Sequence, residues 1–180
     1  MNRDYYRGVT YTPLFPALLA LVMYFFGVNF IALKYPAIVF DAGVTVMVFL
    51  IAERVYNTRT GVYASLIYAF SYLPILSSGV FGNDDHVFMF FVLTAVYLIL
   101  RDRLILSAVS LGVSLAFKAS AILFIPPILY YIYRKNKLRS TVPYVVVSIA
   151  STLCVLSPFM INEGLNVLQP YNVGETMGID

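Results

Sequence analysis

Asn83, Asp84, Asp85 and His86 form a polar cluster directly before the apolar run that begins at Val87. Two adjacent carboxylates could hold a divalent cation such as Mg²⁺ or Mn²⁺, because hard cations prefer carboxylate oxygens. The cluster could equally polarise a substrate hydroxyl, with Asn83 and His86 as further contacts. The structural alternative is a solvated loop in which Asp84 or Asp85 caps a helix, and the composition favours it. These roles are compatible, so catalytic, metal-binding and capping interpretations all stay open.

Two further ionisable residues lie inside apolar stretches, where charges are costly and often functional. Lys118 is the single charge of the run 104–133. It either snorkels at the tip of a helical hairpin or pairs with the phosphate of a lipid carrier. Asp41 needs a partner or a water-filled cavity. A structural pair with a neighbouring span and a substrate contact are equally consistent with its position.

A fourth group precedes the first apolar run. Residues 3–7 (RDYYR) lead to Tyr11, Thr12 and Pro13. Aromatic and basic residues in front of a hydrophobic run are typical membrane-interface anchors, and this pattern favours that role. The alternative is that Tyr11 contacts a headgroup or a sugar.

The elements that position these residues must be membrane helices. Of the 180 residues, 61% are hydrophobic and 12% are charged, with a mean hydropathy of +0.83. A soluble domain is about 45–50% apolar and about 25% charged. The composition therefore argues against a soluble enzyme, a disordered segment and a nucleic-acid-binding module. The single cysteine, Cys154, excludes an internal disulfide and a multi-cysteine zinc site.

The uncharged runs 8–33, 60–83 and 140–162 are each long enough for a membrane span, which needs roughly 20 apolar residues. The run 104–133 would make a helix of about 45 Å, too long for a hydrocarbon core of about 30 Å. Basic residues at both of its ends indicate an even number of crossings, so a hairpin with Lys118 at its tip is expected. The sequence thus predicts an all-α, polytopic transmembrane bundle. Its six spans are expected near 36–53, 61–79, 86–101, 103–117, 119–133 and 140–160.

This topology separates the charges between the two faces, as the positive-inside rule requires. The inner face receives Arg54, Arg59, Arg101, Arg103, Arg134, Lys135, Lys137 and Arg139. The outer face receives Asp41, Asp84, Asp85, His86, Lys118, Glu163, Glu175 and Asp180. Residues 1–12 are expected to be the remnant of an outer loop and residues 161–180 an outer tail. The segment 13–29 is either a juxtamembrane helix in the interface or a seventh span.

Three motifs occur in a recognisable order. The stretch 11–16 (YTPLFP), with FFG at 25–27, resembles a "Y-x-P-P-L" stretch that ends in "L-F-G". The stretch 82–85 (GNDD) is similar to "G-[NQ]-x-[DE]" before a long apolar helix. Gly112 to Lys118, followed by Pro126, is similar to "G-x-[SA]-x-x-x-K" and a later proline. Together they resemble the polyprenyl-phosphate-sugar-dependent glycosyltransferases of the GT-C fold, above all the mannosyltransferase-like members, over about residues 5–160.

The resemblance implies that a sugar, such as mannose, is moved from a polyprenyl-phosphate carrier to an acceptor on the outer or lumenal face. The membrane would be a plasma membrane or the endoplasmic reticulum. Asp85 matches the second acidic position at that face, and Lys118 matches the lysine that meets the carrier phosphate. Asp41 resembles an acidic residue of the following span. The implied partners are the lipid-linked donor, the bilayer and a membrane partner subunit, and not nucleic acid.

The family's first span and its acidic first outer loop precede the first motif and are absent from this sequence. The chain is therefore expected to be an incomplete family member. In the expected mechanism a carboxylate orients the acceptor hydroxyl, and Lys118, with or without a metal at Asp84 and Asp85, stabilises the departing phosphate. The alternative is a non-catalytic membrane subunit or scaffold. A transporter component fits less well, because its ionisable groups would lie near the bilayer midplane.

Overall fold

The computed structural model describes residues 12–163, apart from the side chains of residues 136, 137, 162 and 163. Within this range the chain is helical and contains no strand, so the predicted all-α class is confirmed. The α-helices are α1 (Leu14–Phe26), α2 (Tyr35–Val55), α3 (Thr58–Ala69), α4 (Tyr72–Pro74), α5 (Asp85–Leu100), α6 (Leu104–Phe117) and α7 (Ile125–Glu163). Short 3₁₀ helices cover Ala32–Lys34 and Ala119–Phe124, and a π-helical segment covers Ile75–Phe81.

Two helical stretches are long and apolar enough to cross a membrane, Ala32–Val55 and Leu138–Ile161. A third crossing is available if Thr58–Ala69 and Tyr72–Phe81, which meet at a bend of 46°, act as one broken span. α1, α5 and α6 are shorter apolar helices. The polytopic helical bundle is thus confirmed, although α5 and α6 are only about 24 and 21 Å long, less than a full crossing of about 30 Å.

Serine side chains hold α5 and α6 together as an antiparallel hairpin. Each serine Oγ of α6 donates to a backbone carbonyl of α5, which is a common way to join helices in a membrane. The bonds run from Ser107 to Ala95 (2.8 Å), from Ser110 to Phe91 (2.8 Å) and from Ser114 to Phe88 (2.9 Å). This register brings the end of α6 beside the start of α5.

Gly112 lets α7 pack directly on α6. A Cβ atom at this position would lie 2.4 Å from the Ser148 carbonyl oxygen and 2.7 Å from Ser151 Cβ. Only glycine fits such a close backbone approach. The Thr152 hydroxyl then donates to the Gly112 carbonyl at 2.9 Å, which ties the two helices at the same level.

α7 covers 39 residues, and its contacts place the parts before Lys135 and after Leu138 in opposite directions along the hairpin. In the first half, Lys135 forms an ion pair with Asp102, just beyond the end of α5. The hydroxyl of Tyr144 then meets a serine near the start of α6. The second half follows α6 to its other end, where Leu156 packs against Ala116.

The reach of the chain excludes a straight α7. A straight helix would place Ile125 about 28 Å before Tyr144, beyond the start of α6. Lys118 lies at the opposite end of α6, and the seven residues that link it to Ile125 reach at most about 25 Å. The chain must therefore reverse between Lys135 and Leu138, where the helical stretch that can cross the membrane begins. This reversal is the basic turn predicted before the last span.

α1 begins and ends at the same end of the bundle. Thr12, just before α1, donates to the carbonyls of Ala116 and Phe117 at 2.6 and 2.8 Å. Lys34 ends the 3₁₀ helix that follows α1, and its ammonium donates to the Gly79 carbonyl at 2.9 Å. α1 therefore lies across the end at which α6 finishes. This placement favours the juxtamembrane interpretation of residues 13–29, which stays a prediction, as do the domain boundaries; residues 1–11 and 164–180 lie outside the described residues.

Candidate functional site

A left-handed glycine turns the chain into the polar cluster. Gly82 has φ 67° and ψ 37°, a conformation that side chains other than glycine and a few polar residues avoid. Its N–H and that of Asn83 both donate to Ser77 O, which ends the π-helical segment. Asp84 then occupies the N-cap position and Asp85 the first residue of α5.

Lys118 brings the two carboxylates together. The residue follows α6 in an extended conformation, and its ammonium reaches across to the start of α5. Its Nζ donates to Asp84 Oδ1 at 2.9 Å and to Asp85 Oδ1 at 2.6 Å. It also lies 5.7 Å from the centre of the Phe88 ring, within range of a cation–π contact. We call Asp84, Asp85 and Lys118 the charged trio.

The three members of the charged trio differ in exposure. The side chain of Asp84 is 5% exposed, that of Lys118 23% and that of Asp85 52%. Burial raises the pKa of the Asp84 carboxyl, and the bond from Lys118 only partly opposes this. Burial acts to lower the pKa of Lys118, but its bonds to Asp85 and Asp84 outweigh burial and raise it. The site therefore presents a protonated ammonium with one buried and one solvent-facing carboxylate.

The capping interpretation is wrong in its hydrogen bonding. Asp84 stands at the N-cap, but its side chain accepts no capping bond and turns to Lys118 instead. The sequence placed Lys118 and Asp85 on one face without predicting their direct contact. The tertiary pairing replaces the local bond because an ammonium is a stronger partner for a carboxylate than a backbone amide.

Asp41 is the centre of a second polar cluster, which we call the Asp41 cluster. Its Oδ1 accepts from the Tyr68 hydroxyl at 2.8 Å and lies 3.1 Å from His86 Nδ1. Its Oδ2 accepts from the Ser78 hydroxyl at 2.9 Å. The carboxylate of α2 thus has partners on α3, on the π-helical segment and on α5, which is the neighbouring-span pairing that an acidic residue in a span requires.

The predicted site residues therefore fall into two groups. Asp84, Asp85 and Lys118 meet in the charged trio, whereas His86 and Asp41 meet in the Asp41 cluster. Their substrate-binding and catalytic roles stay predictions. The remaining two predicted residues are Asn83, which lies in the turn before α5, and Tyr11, which lies outside the described residues.

Sequence reasoning missed Tyr68 and Ser78. Both lie in the uncharged run 60–83, which was interpreted only as an apolar span. The available signal was Asp41 itself, because a carboxylate in a span requires hydrogen-bond donors from adjacent helices. Hydroxyl side chains of the next apolar run were the nearest donors in the sequence.

An apolar cavity of about 270 Å³ lies beside Gly82. It is bounded by α1, by the segment 30–34 and by the end of the π-helical segment. Lys34 lies at its edge, with its ammonium 4.6 Å from the centre of the Phe30 ring. The other lining residues are Phe15, Pro16, Leu19, Leu33 and Phe81. The cavity adjoins the turn that leads to the charged trio.

The divalent cation suggested for Asp84 and Asp85 stays a prediction. In the structure the Lys118 ammonium takes one oxygen from each carboxylate. Among residues 12–163, no group of three histidine, cysteine or acidic side chains could hold a metal. The two carboxylates fit a divalent cation poorly, because the positive charge of Lys118 already occupies the place between them.

The comparison with protein families places these two clusters in context. The family model described as dolichyl-phosphate-mannose-protein mannosyltransferase matches residues 10–161, well over half of the chain. The chain belongs to this family. It is a membrane glycosyltransferase chain of the GT-C type, as the ordered motifs predicted. No curated protein and no solved structure matches it. The charged trio and the Asp41 cluster both lie within the stretch that matches the mannosyltransferase family.

Proposed function

We propose that this chain binds a mannosyl polyprenyl phosphate through Lys118 and serves in transfer of the sugar to an acceptor hydroxyl on the outer or lumenal face. The observation that carries the proposal is the Lys118 ammonium held between Asp84 and Asp85 at one end of the bundle. The family description supports it, because it names a lipid-phosphate sugar as the donor.

The surroundings of Lys118 suit a phosphate with a long hydrocarbon tail. An ammonium is a compact charge that binds phosphate oxygens by charge-assisted hydrogen bonds. The apolar cavity beside Gly82 offers aromatic and aliphatic walls for part of an isoprenoid chain. A polar headgroup site next to an apolar cavity is the arrangement that an amphiphilic donor requires.

Donor binding would also release Asp85 from Lys118, so that Asp85 can act as the base. The donor phosphate competes with the solvent-facing Asp85 for the ammonium, while the buried Asp84 keeps Lys118 in place. Asp85 then accepts the proton of the acceptor hydroxyl. The hydroxyl oxygen forms a bond to the anomeric carbon as the bond from that carbon to the phosphate oxygen breaks. The electron pair of the broken bond stays on the phosphate, whose added charge Lys118 stabilises.

Donor binding to the purified chain in nanodiscs tests this proposal. We expect dolichyl-phosphate mannose to bind the wild type. The Lys118→Ala variant should lose about tenfold or more in affinity, because a hydrogen bond to a charged group contributes about 1.5–3 kcal/mol. The matched control is Lys135→Ala, which removes the ion-paired lysine of the other end of the bundle and should leave affinity unchanged.

Dolichyl-phosphate glucose and unmodified dolichyl phosphate, tested alongside, report how far the sugar contributes to binding. Equal affinity in the wild type and the Lys118→Ala variant would remove Lys118 from the donor site. A folded wild type that binds none of the three lipids would contradict the proposal and favour a non-catalytic membrane subunit.

A further inference from the structure

The Asp41 cluster connects three helical segments to the first turn of α5. Asp41 belongs to α2 and is held from two sides, by the Tyr68 hydroxyl at one oxygen and by the Ser78 hydroxyl at the other. Its remaining contact is His86 Nδ1 at 3.1 Å. His86 directly follows Asp85 in α5, so a carboxylate fixed by two other segments is bonded to the residue beside the charged trio.

Only one nitrogen of the His86 ring has a partner among the described residues. Nδ1 faces Asp41 and, at 3.4 Å, the Tyr68 hydroxyl, whereas Nε2 is buried without a hydrogen bond. Because Asp41 Oδ1 already accepts from the Tyr68 hydroxyl, we assign the ring proton to Nδ1, which then donates to the same oxygen. Because an unpaired buried polar atom costs about 1–3 kcal/mol, a histidine here is not explained by packing alone. The geometry instead indicates that His86 serves to bind Asp41 through Nδ1.

Helical geometry converts this bond into a constraint on the charged trio. Successive residues of a helix point about 100° apart, so Asp85 faces the ammonium while His86 faces α2. A rotation of the first turn that broke the His86–Asp41 contact would carry Asp85 away from Lys118.

We infer that Asp41 is a positioning residue, which through His86 fixes the first turn of α5 and thereby sets where Asp84 and Asp85 meet Lys118. The inference rests on the proposed function in one respect, namely that the charged trio is the donor site. Tyr68 and Ser78 hold Asp41 in turn, so the arrangement extends from α3 through α2 to α5.

Two substitutions of His86 separate this role from any role of Nε2. In His86→Asn the amide nitrogen takes the place of Nδ1, so the bond to Asp41 is retained and Nε2 is removed. In His86→Gln the longer side chain puts its amide near the position of Nε2 and leaves the Nδ1 position empty. Asp41→Leu is the complementary change on α2, because it removes both oxygens that accept hydrogen bonds.

The readout is the rate at which a short pulse of acetic anhydride acetylates Lys118, divided by the rate for Lys135 in the same nanodisc sample. Acetylation requires the neutral amine, and the carboxylates of the trio keep Lys118 protonated. We expect the wild type and His86→Asn to share one low ratio. His86→Gln and Asp41→Leu should raise it about tenfold for each pKa unit that Lys118 loses. General loosening of the fold would raise the ratio equally in His86→Asn and His86→Gln, because the reference residue Lys135 is already exposed to solvent.

An unchanged ratio in His86→Gln, or an equal rise in His86→Asn and His86→Gln, would overturn the inference. The labelling needs no donor, so its outcome is independent of the proposed function. A wild type that shows the expected labelling pattern but binds no dolichyl-phosphate mannose would leave the positioning role standing and refute the donor site.

Discussion

Lys118 and Lys135 are both paired with aspartates, at opposite ends of the α5–α6 hairpin. Lys118 meets Asp84 and Asp85 at the start of α5, and Lys135 meets Asp102 just beyond its end, about 24 Å away. The Lys135–Asp102 pair is open to solvent, with side-chain exposures of 45% for Lys135 and 73% for Asp102. The charged trio instead contains an almost fully buried carboxylate.

Burial gives the same pair of functional groups different properties. Burial raises the pKa of Asp84, whereas the exposed bond from Lys135 lowers the pKa of Asp102. An exposed pair contributes little to stability and is screened by salt. A buried pair is sensitive to the loss of either partner, because the other is left uncompensated. The Lys118 end is therefore suited to bind and stabilise charge, and the Lys135 end to orient a basic turn.

The largest expected effect comes from separating α6 and α7, because their contact sets the position of Lys118. In Gly112→Ala the new methyl group would overlap the Ser148 carbonyl, and the free energy of unfolding should fall by about 3 kcal/mol. Thermal unfolding in detergent measures this change. Gly79→Ala is the control, since its methyl group would meet nothing within 4 Å. Equal melting temperatures for the two variants would contradict the close packing at Gly112.

Removal of each lysine compares the two ends directly. Lys118→Met should lower the free energy of unfolding by about 2 kcal/mol, because Asp84 is left buried without its counter-charge. Lys135→Met should cause no measurable change, since both members of its pair are exposed. Denaturant unfolding at neutral pH checks both variants. Equal losses would show that burial does not distinguish the two pairs.

Asp85→Asn separates donor binding from transfer. Without the second carboxylate, the donor phosphate no longer competes for Lys118, so dolichyl-phosphate mannose should bind about threefold more tightly. Sugar transfer to a serine- and threonine-containing peptide should fall at the same time, because the proposed base is gone. Asp102→Asn serves as the control at the other end. Weaker donor binding in Asp85→Asn would indicate that Asp85 contacts the donor rather than competing with it.

The smallest effect is the opposite titration of two carboxyls, which carbon-13 NMR of labelled aspartates can follow. Asp84 should keep its proton above the ordinary pKa of 3.8, and Asp102 should lose its proton below that value. For Asp84, whose folded pKa is raised, the contribution to stability is present below the unfolded pKa and is lost as pH rises through the folded pKa. For Asp102 the contribution is present above the unfolded pKa and is lost as pH falls. Titration in the reverse order would contradict the burial difference.

Much of the architecture was accessible from local features of the sequence. Long uncharged runs require helices in a membrane, because an unsatisfied backbone group is costly in hydrocarbon. The basic residues on both sides of the run 104–133 led to a hairpin with Lys118 at its tip, and α6 does end at Phe117. The ordered motifs led to the GT-C family, which the family comparison confirms.

The contacts of the site were not accessible in the same way. Asp84 and Lys118 are 34 positions apart, and their pairing depends on the serine bonds between α5 and α6. Tyr68 and Ser78 are unremarkable in sequence and become partners of Asp41 only when three helical segments converge.

The sequence therefore determined the kind of molecule, namely a helical membrane protein of the mannosyltransferase family, with Asp84, Asp85 and Lys118 expected at the face opposite the basic loops. Composition, run lengths and short motifs suffice for this, because partition into a membrane depends on each segment separately. The three-dimensional packing decided which carboxylate is buried, which faces solvent and which belongs to the Asp41 cluster. These properties depend on dielectric environment and on distances of a few ångströms, which arise only when distant segments pack together.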